Sequence, residues 1–112
     1  MKKIEAIIRR SQFEEVSEAL HEVGIDFFTY WDVTGVGNEK SGAVYRSVVY
    51  ETRLIERRTI SFVCRDKFVE AATEAIVKSA RTGELGDGKY SFLPLTNLYV
   101  FAPAKKAPNH YT

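Results

Sequence analysis

The sequence contains little cysteine, little proline and no long apolar run. Its single cysteine, Cys64, cannot form an internal disulfide, which fits a reducing compartment, and its place in an apolar segment predicts a small buried side chain. No apolar stretch approaches the roughly 18 residues that a membrane span needs. The start of the chain passes directly into a strand pattern, without the apolar core of a signal peptide. We therefore expect a cytoplasmic protein that does not insert into a membrane.

Neither sign of charge is in excess. The chain carries 16 Lys and Arg against 15 Asp and Glu, for a formal net charge of +1. A field this weak gives no support for a polyanionic partner such as nucleic acid. Hydrophobic residues make up 45% and charged residues 28% of the chain, which is the composition of a globular protein. The 112 residues are expected to form one domain over 1–112.

Apolar periodicity predicts four strands. β-branched and aromatic residues, or an alternation of apolar and polar residues, mark segments that suit a pleated surface. These segments are residues 3–8, 27–36, 58–64 and 90–95. Pro94 predicts that the last strand is short or lies at a sheet edge, because proline cannot donate a ladder hydrogen bond. Residues 98–101 are a candidate for one more short strand.

Two helices are predicted between these strands. Ser11 and Glu14 match a capping box for the first helix, whose three- and four-residue apolar spacing stops at Gly24. Asp66 is the candidate cap of the second helix, which ends near residues 82–83. The order predicts an α+β, ferredoxin-like βαββαβ sandwich, with an antiparallel four-stranded sheet and two helices on one face. This fold hosts many functions and by itself implies no chemistry.

The connection between the second and third predicted strands is unusually long. About twenty residues, from Gly37 to Arg57, separate these strands, whereas hairpin loops usually have about two to five. Loops of this length are commonly functional or disordered. A polar, glycine-containing tip followed by apolar residues suits a partner-binding arm. The alternative is that residues 43–55 only extend the two strands into a long ribbon.

Two glycine-bearing segments are candidate phosphate sites. Gly35 and Gly37 lie at the end of the second predicted strand, and Gly86-Asp87-Gly88-Lys89 precedes the fourth. Glycine admits a positive φ and lets backbone N–H groups converge on an anion, and an adjacent lysine adds a charge that suits phosphate. Taken separately, each segment is more commonly a plain tight turn.

Several segments of the sequence, taken together, carry a resemblance to a known family. The most specific is Arg81-Thr82-Gly83-Glu84-Leu85-Gly86-Asp87-Gly88-Lys89. The others are residues 1–9, 16–20 with 23–25, 35–37 with Lys40, and Tyr45-Arg46. Over nearly the whole chain, this set resembles the PII family of nitrogen- and energy-signalling proteins, and the segment 81–89 is similar to the second signature of that family.

The resemblance implies a regulatory protein rather than an enzyme. It implies a homotrimer in which ADP or ATP lies in clefts between neighbouring subunits, and Mg²⁺ can accompany ATP. By position, Ile7, Thr29 and Val63 would surround the adenine. Ribose and phosphates would be held by Gly35, Gly37 and Asn38 on one side and by Gly86, Asp87, Gly88 and Lys89 on the other.

The resemblance also assigns a role to the long connection. Residues of about 37–53 match the T-loop of the family, which contacts a target protein such as a membrane transporter or a metabolic enzyme, in nitrogen or carbon metabolism. The loop residues expected to meet this target are Glu39, Lys40, Tyr45, Arg46 and Tyr50. The tail, about 103–112, is expected to be frayed.

The sequence departs from the family in ways that predict a changed ligand preference. Glu39 replaces a glutamine that helps to hold Mg²⁺ and 2-oxoglutarate, and its charge would repel that ligand, so we expect a weak or absent 2-oxoglutarate response. A family lysine is replaced by Arg57 or Arg58. Two arginines expected on the last strand are missing from residues 98–102, which predicts that ADP or AMP binds at least as well as ATP. Lys105 and Lys106 could compensate.

Two other functions remain open from the sequence. One is a small phosphate-hydrolysing enzyme of ferredoxin-like fold, for which Lys89 is the only candidate residue and no nucleophile with a base can be named. The other is an RNA-binding module, because such modules expose aromatic residues on a sheet of this strand order. Tyr30 and Phe62 would be those residues.

Overall fold

The computed structural model describes residues 1–38, 52–84, 86–99 and 101 of the chain. Four strands and two helices follow one another in the predicted order, and a short 3-10 turn precedes the first helix. The elements are β1 (Lys2–Ile8), the 3-10 turn (Arg10–Gln12), α1 (Phe13–Glu22), β2 (Thr29–Asn38), β3 (Thr52–Cys64), α2 (Asp66–Ala80) and β4 (Gly88–Pro94). Among these residues, neither helix is long and apolar enough to span a membrane.

The four strands form one sheet in the order β2-β3-β1-β4, and every neighbouring pair is antiparallel. β1 is central, and its Ile4 pairs with Phe62 of β3 on one side and with Phe92 of β4 on the other. β4 is an edge strand that ends at Pro94. The edge position inferred from this proline is therefore confirmed.

One face of the sheet carries the core. Alternate residues of β1 and β3 are buried, and the buried residues of both helices join the same cluster. The members that define this face are Ile4, Ala6, Ile8, Ile60, Phe62 and Cys64 from the strands, with Val16, Leu20, Ala72 and Ile76 from the helices. Both helices thus cover one face of an antiparallel sheet, which confirms the ferredoxin-like prediction. Burial raises the pKa of the Cys64 thiol, so this cysteine is an inert core residue.

Both predicted helix caps are wrong. Ser11 lies inside the 3-10 turn, and the residue before α1 is Gln12, which makes no side-chain capping hydrogen bond. The N–H of Gln12 already bonds the carbonyl of Arg9 at 3.0 Å, so a helical turn forms before the predicted start. Asp66 is the first residue of α2 rather than its cap. Its carboxylate lies 3.0 Å from the amino group of Met1, which lowers its pKa.

The hairpin strands are longer than predicted. β2 continues to Asn38 and β3 begins at Thr52, and these two residues are register partners. The predicted loop from Gly37 to Arg57 is therefore wrong at both ends, and the ribbon alternative holds for residues 52–55. The predicted final strand is also wrong for the residues described there, since Leu98, Tyr99 and Phe101 have no regular secondary structure.

Candidate functional site

The turn between α2 and β4 is built on glycine. Gly83, Gly86 and Gly88 have φ values of +92°, +86° and +129°, a region that other residues rarely adopt. At Gly88 a Cβ would also lie 1.9 Å from the carbonyl oxygen of Ile7, so the turn can approach β1 only with glycine here. Of the glycine turn predicted at residues 86–89, Gly86 and Asp87 precede β4, whereas Gly88 and Lys89 are its first two residues.

Asp87 holds this turn in shape. Its carboxylate accepts hydrogen bonds from the backbone N–H of Thr82 at 2.8 Å and of Gly83 at 3.0 Å, from the Thr82 hydroxyl, and from Arg9 Nε at 2.9 Å. The bonds from the Thr82 hydroxyl and from Arg9 hold the pKa of Asp87 well below its usual range. The side chain of Asp87 therefore serves the turn itself. The roles of Thr82 and Arg9 are not predicted by the sequence patterns, although both residues lie in the segments that carry the resemblance.

Cationic side chains surround the turn. Arg57 of β3 donates from Nη2 to the carbonyl of Gly86 at 2.8 Å. Lys89 is the second residue of β4 and is exposed. A cavity of about 350 Å³ lies between the end of α2 and β4, with Arg81 and Lys89 among its lining residues. Donors of this kind beside backbone N–H groups can bind a phosphate group.

The other predicted glycine turn is wrong. Gly35 and Gly37 lie within β2, where they pair with Ile55 and Arg53 of β3, and neither has a positive φ. A Cβ at Gly35 would meet its nearest neighbour, the Ile55 oxygen, at 3.9 Å, which is an ordinary contact. Pairing with β3 determines the conformation of this segment, so its backbone cannot form the predicted nest. Asn38 is the last residue of the same strand.

The three residues predicted to surround the adenine lie on the sheet face that the helices leave open. Ile7 pairs with Lys89 of β4 and thus lies at the turn end of the sheet. Thr29 and Val63 line a groove of about 410 Å³ at the other end, together with Tyr99 and Phe101. The structure therefore brings Ile7 to the glycine turn, and it places Thr29 and Val63 together elsewhere.

These two parts of the predicted site are far apart in one chain. Thr29 is on β2 and Gly88 is on β4, and two strands lie between them, a separation of about 14 Å across the sheet. Along the strands, Thr29 aligns through Ser61 with Glu5 and Gly88 aligns with Ile8, which adds about 10 Å. A single chain therefore does not assemble both halves around one ligand.

Arg57 and Arg58 point to opposite faces of the sheet. Arg58 forms an ion pair with Asp32 at 2.7 Å on the helix side, and its guanidinium lies over the rings of Phe13 and Tyr30. This pairing lowers the pKa of Asp32 and raises that of Arg58. Arg57 is on the open face and contacts the glycine turn. Of the two candidates for the family lysine, Arg57 is the one that reaches the predicted site.

The aromatic residues proposed for RNA binding are on the wrong face. Phe62 is 4% exposed in the core, and Tyr30 packs on Phe13 with a centroid distance of 4.6 Å. The premise of the RNA-binding alternative is therefore wrong. In the described part of the chain, no cluster of His, Cys, Asp or Glu could hold a metal ion. The loop residues Glu39, Lys40, Tyr45, Arg46 and Tyr50 lie outside the described residues, as do Lys105 and Lys106.

The fold and the site define a class of protein: a ferredoxin-like α+β domain with a glycine turn at its edge strand and an extended hairpin between β2 and β3. A family model described as Nitrogen regulatory protein P-II matches residues 1–105. The chain is 44% identical over 107 residues to Nitrogen regulatory protein P-II of Azospirillum brasilense, covering 95% of this chain and 96% of that protein.

Two further relatives carry the same name. The protein of Rhodospirillum rubrum is 43% identical over 90 residues and that of Klebsiella oxytoca is 39% identical over 90 residues, and each match covers 80% of both chains. The chain therefore belongs to the P-II family of nitrogen regulatory proteins, which are signal-transduction proteins. The resemblance inferred from the sequence is confirmed.

Proposed function

We propose that this protein is a nucleotide-responsive regulator. ADP or ATP binds in clefts between the subunits of a homotrimer, and the hairpin of β2 and β3 carries the loop that controls a partner protein. The partner is a transporter, an enzyme or a regulator in nitrogen or carbon metabolism. The observation that carries this proposal is the turn ending in Gly88 and Lys89, which is shaped by Asp87 and surrounded by cations.

The proposal places the ligand between subunits because the two halves of the predicted site lie far apart in one chain. The turn end, with Ile7 and Lys89, offers donors for phosphate. The groove with Thr29 and Val63 offers an apolar wall of a size that suits a nucleoside. Because these half-sites lie at opposite sheet edges, one ligand uses both when the turn of one chain meets the groove of its neighbour.

The charges of the site favour a small number of phosphates. Arg57 and Lys89 lie beside the turn, Arg81 lines the same cavity and Arg9 is paired with Asp87. Neither Leu98 nor Tyr99 adds a positive charge. We therefore propose that ADP or AMP binds at least as well as ATP, and that Mg²⁺ enters only with ATP. The response to 2-oxoglutarate is weak or absent, because Glu39 would repel its carboxylates.

The hydrolase alternative has one observation in its favour. The Thr82 hydroxyl donates a hydrogen bond to Asp87, which formally pairs a nucleophile with a base. The lowered pKa of Asp87 makes it a poor proton acceptor near neutral pH, because an effective base has a pKa close to the working pH. The pair is therefore better suited to holding the turn than to catalysis.

Titration calorimetry tests the proposed function. The purified protein, with its mass measured by light scattering, is titrated with AMP, ADP, ATP and 2-oxoglutarate. We expect a trimer that binds the adenine nucleotides and responds weakly to 2-oxoglutarate. If no adenine nucleotide binds more tightly than about millimolar, a binding free energy of only about 4 kcal/mol, the proposal is wrong. A monomer that binds nucleotide would overturn the inter-subunit cleft alone.

A further inference from the structure

The end of the β2–β3 hairpin extends beyond the rest of the sheet. The pairing of β1 with β3 ends where Ile8 meets Arg58, whereas β2 and β3 remain paired from Val33 with Arg57 to Asn38 with Thr52. We call residues 33–38 and 52–57 the ribbon. A two-stranded ribbon has little stability of its own, so its direction depends on contacts made at its base. The ribbon leads directly into residues 39–51.

Side chains brace the base of the ribbon on both faces. On the helix side, Arg10 forms ion pairs with Glu56 and with Asp32, the latter at 3.7 Å. On the open side, Arg57 Nη2 donates to the carbonyl of Gly86 at 2.8 Å, and its Nη1 donates to the carbonyl of Glu56 at 2.8 Å. Arg57 thus ties the ribbon to the glycine turn.

The acceptor of this tie is weaker than the ligand expected beside it. Arg57 gives a charged donor to the neutral oxygen of Gly86 at an exposed position, where solvent weakens the bond without abolishing it. A phosphate offers two anionic oxygens, and these match the planar fork of a guanidinium. A phosphate bound next to Gly88 and Lys89 would therefore compete with Gly86 for the same guanidinium.

We propose that Arg57 is an exchangeable tether that reports phosphate binding to the ribbon. With the turn empty, Arg57 holds the ribbon against Gly86. When a nucleotide phosphate occupies the turn, the guanidinium moves to the phosphate and the ribbon is released from Gly86. The inference rests on the proposed function, and it adds the residue through which the ligand acts on the hairpin.

Hydrogen–deuterium exchange of the ribbon tests the tether. Peptides covering residues 33–38 and 52–57 are followed in the intact protein with no ligand, with adenosine and with ADP, at concentrations that calorimetry shows to be saturating. In the wild-type protein, we expect ADP to raise ribbon exchange by about tenfold, the effect of losing one hydrogen bond to a charged group. Adenosine should leave the exchange unchanged, because it has no phosphate.

Two substitutions at residue 57 remove the tether. Arg57→Gln keeps an amide but has no charge to attract phosphate, and the amide ends two bonds short of the guanidinium nitrogen that contacts Gly86, so its ribbon should exchange faster than the wild type without ligand and should not respond to ADP. Arg57→Ala removes both, so its ribbon should exchange fast with and without ADP. Both variants should bind ADP about tenfold more weakly than the wild type.

Arg10→Gln is the matched control at the same ribbon. It removes the brace on the helix side, so it should raise ribbon exchange while leaving the ADP response intact. The tether is wrong if Arg57→Gln or Arg57→Ala responds to ADP as the wild type does, or if wild-type protein binds ADP with no change in the ribbon. Absence of nucleotide binding to the wild type overturns the proposed function and the tether together.

Discussion

The Cα of Gly88 lies so close to Ile7 that a Cβ on this glycine would come within 1.9 Å of the Ile7 carbonyl oxygen. This approach sets the start of β4 against the end of β1, where Gly88 pairs with Ile8. Lys89 and the glycine turn are thereby held at one edge of the sheet. The geometry of the proposed phosphate site therefore depends on the absence of a single methyl group.

Gly88→Ala should destabilise the protein. Its φ of +129° and the clash with Ile7 would both have to be relieved, which should lower the free energy of unfolding by at least about 2 kcal/mol. Gly35→Ala is the matched control, since that glycine has an extended conformation and room for a Cβ, and its effect should stay within about 0.5 kcal/mol. Urea denaturation measures both, and equal effects would contradict the packing at Gly88.

Asp87 should contribute stability that depends on pH. Its pKa is lower in the folded protein than in the unfolded chain, so its contribution is present above the unfolded value, near 4, and is lost as pH falls towards the folded value. The stability difference between the wild type and Asp87→Asn should therefore shrink as pH falls below about 4.

Taking the difference from Asp87→Asn is necessary because Asp32 and Asp66 also have lowered pKa values. These two carboxylates are unchanged in the variant, so their effects cancel. Urea titrations of both proteins between acid and neutral pH supply the measurement. A difference that is constant across this range would contradict the role of Asp87 in the turn.

Arg57 and Arg58 should have opposite phenotypes. Arg58→Ala removes an ion pair with Asp32 and the packing over Phe13 and Tyr30, so it should lower the urea midpoint and leave ADP affinity nearly unchanged. Arg57→Ala should leave the urea midpoint nearly unchanged, because its partner is the exposed carbonyl of Gly86, and it should weaken ADP binding. Lys78→Ala, an exposed change on α2, should affect neither measurement. Loss of nucleotide binding in the Arg58 variant would show that the two arginines have been assigned incorrectly.

Mixed trimers should recover binding that neither parent has. Lys89→Ala disables the turn and Val63→Glu places a charge in the apolar groove, so trimers of either variant alone should bind ADP weakly. If a cleft combines the turn of one chain with the groove of its neighbour, every mixed trimer has one intact cleft, and random mixing restores about a quarter of all clefts. Calorimetry of the remixed protein measures the number of ADP-binding clefts per trimer, and light scattering establishes that both variants remain trimers. No recovery would place both half-sites in the same chain.

The elements of the fold could be predicted because their signals are local. Alternation in residues 58–64 and helical spacing before Gly24 are properties of neighbouring residues, and they identify a strand and a helix whatever the rest of the chain does. The same holds for Gly86 and Gly88, where positive φ requires glycine. The caps at Ser11 and Asp66 failed because an earlier turn and the chain terminus competed for the same groups.

Local patterns along the chain are sufficient to predict the order of strands and helices and the position of Gly86 and Gly88 between α2 and β4, because each of these depends on residues near one another in the chain. Whether a glycine segment forms a turn or a strand depends on the folded chain, since Gly35 is held extended by its pairing with Ile55. The fold also brings Arg9 to Asp87, 78 positions away, and Arg57 rather than Arg58 to Gly86. These contacts depend on the register between distant strands, which no local pattern contains.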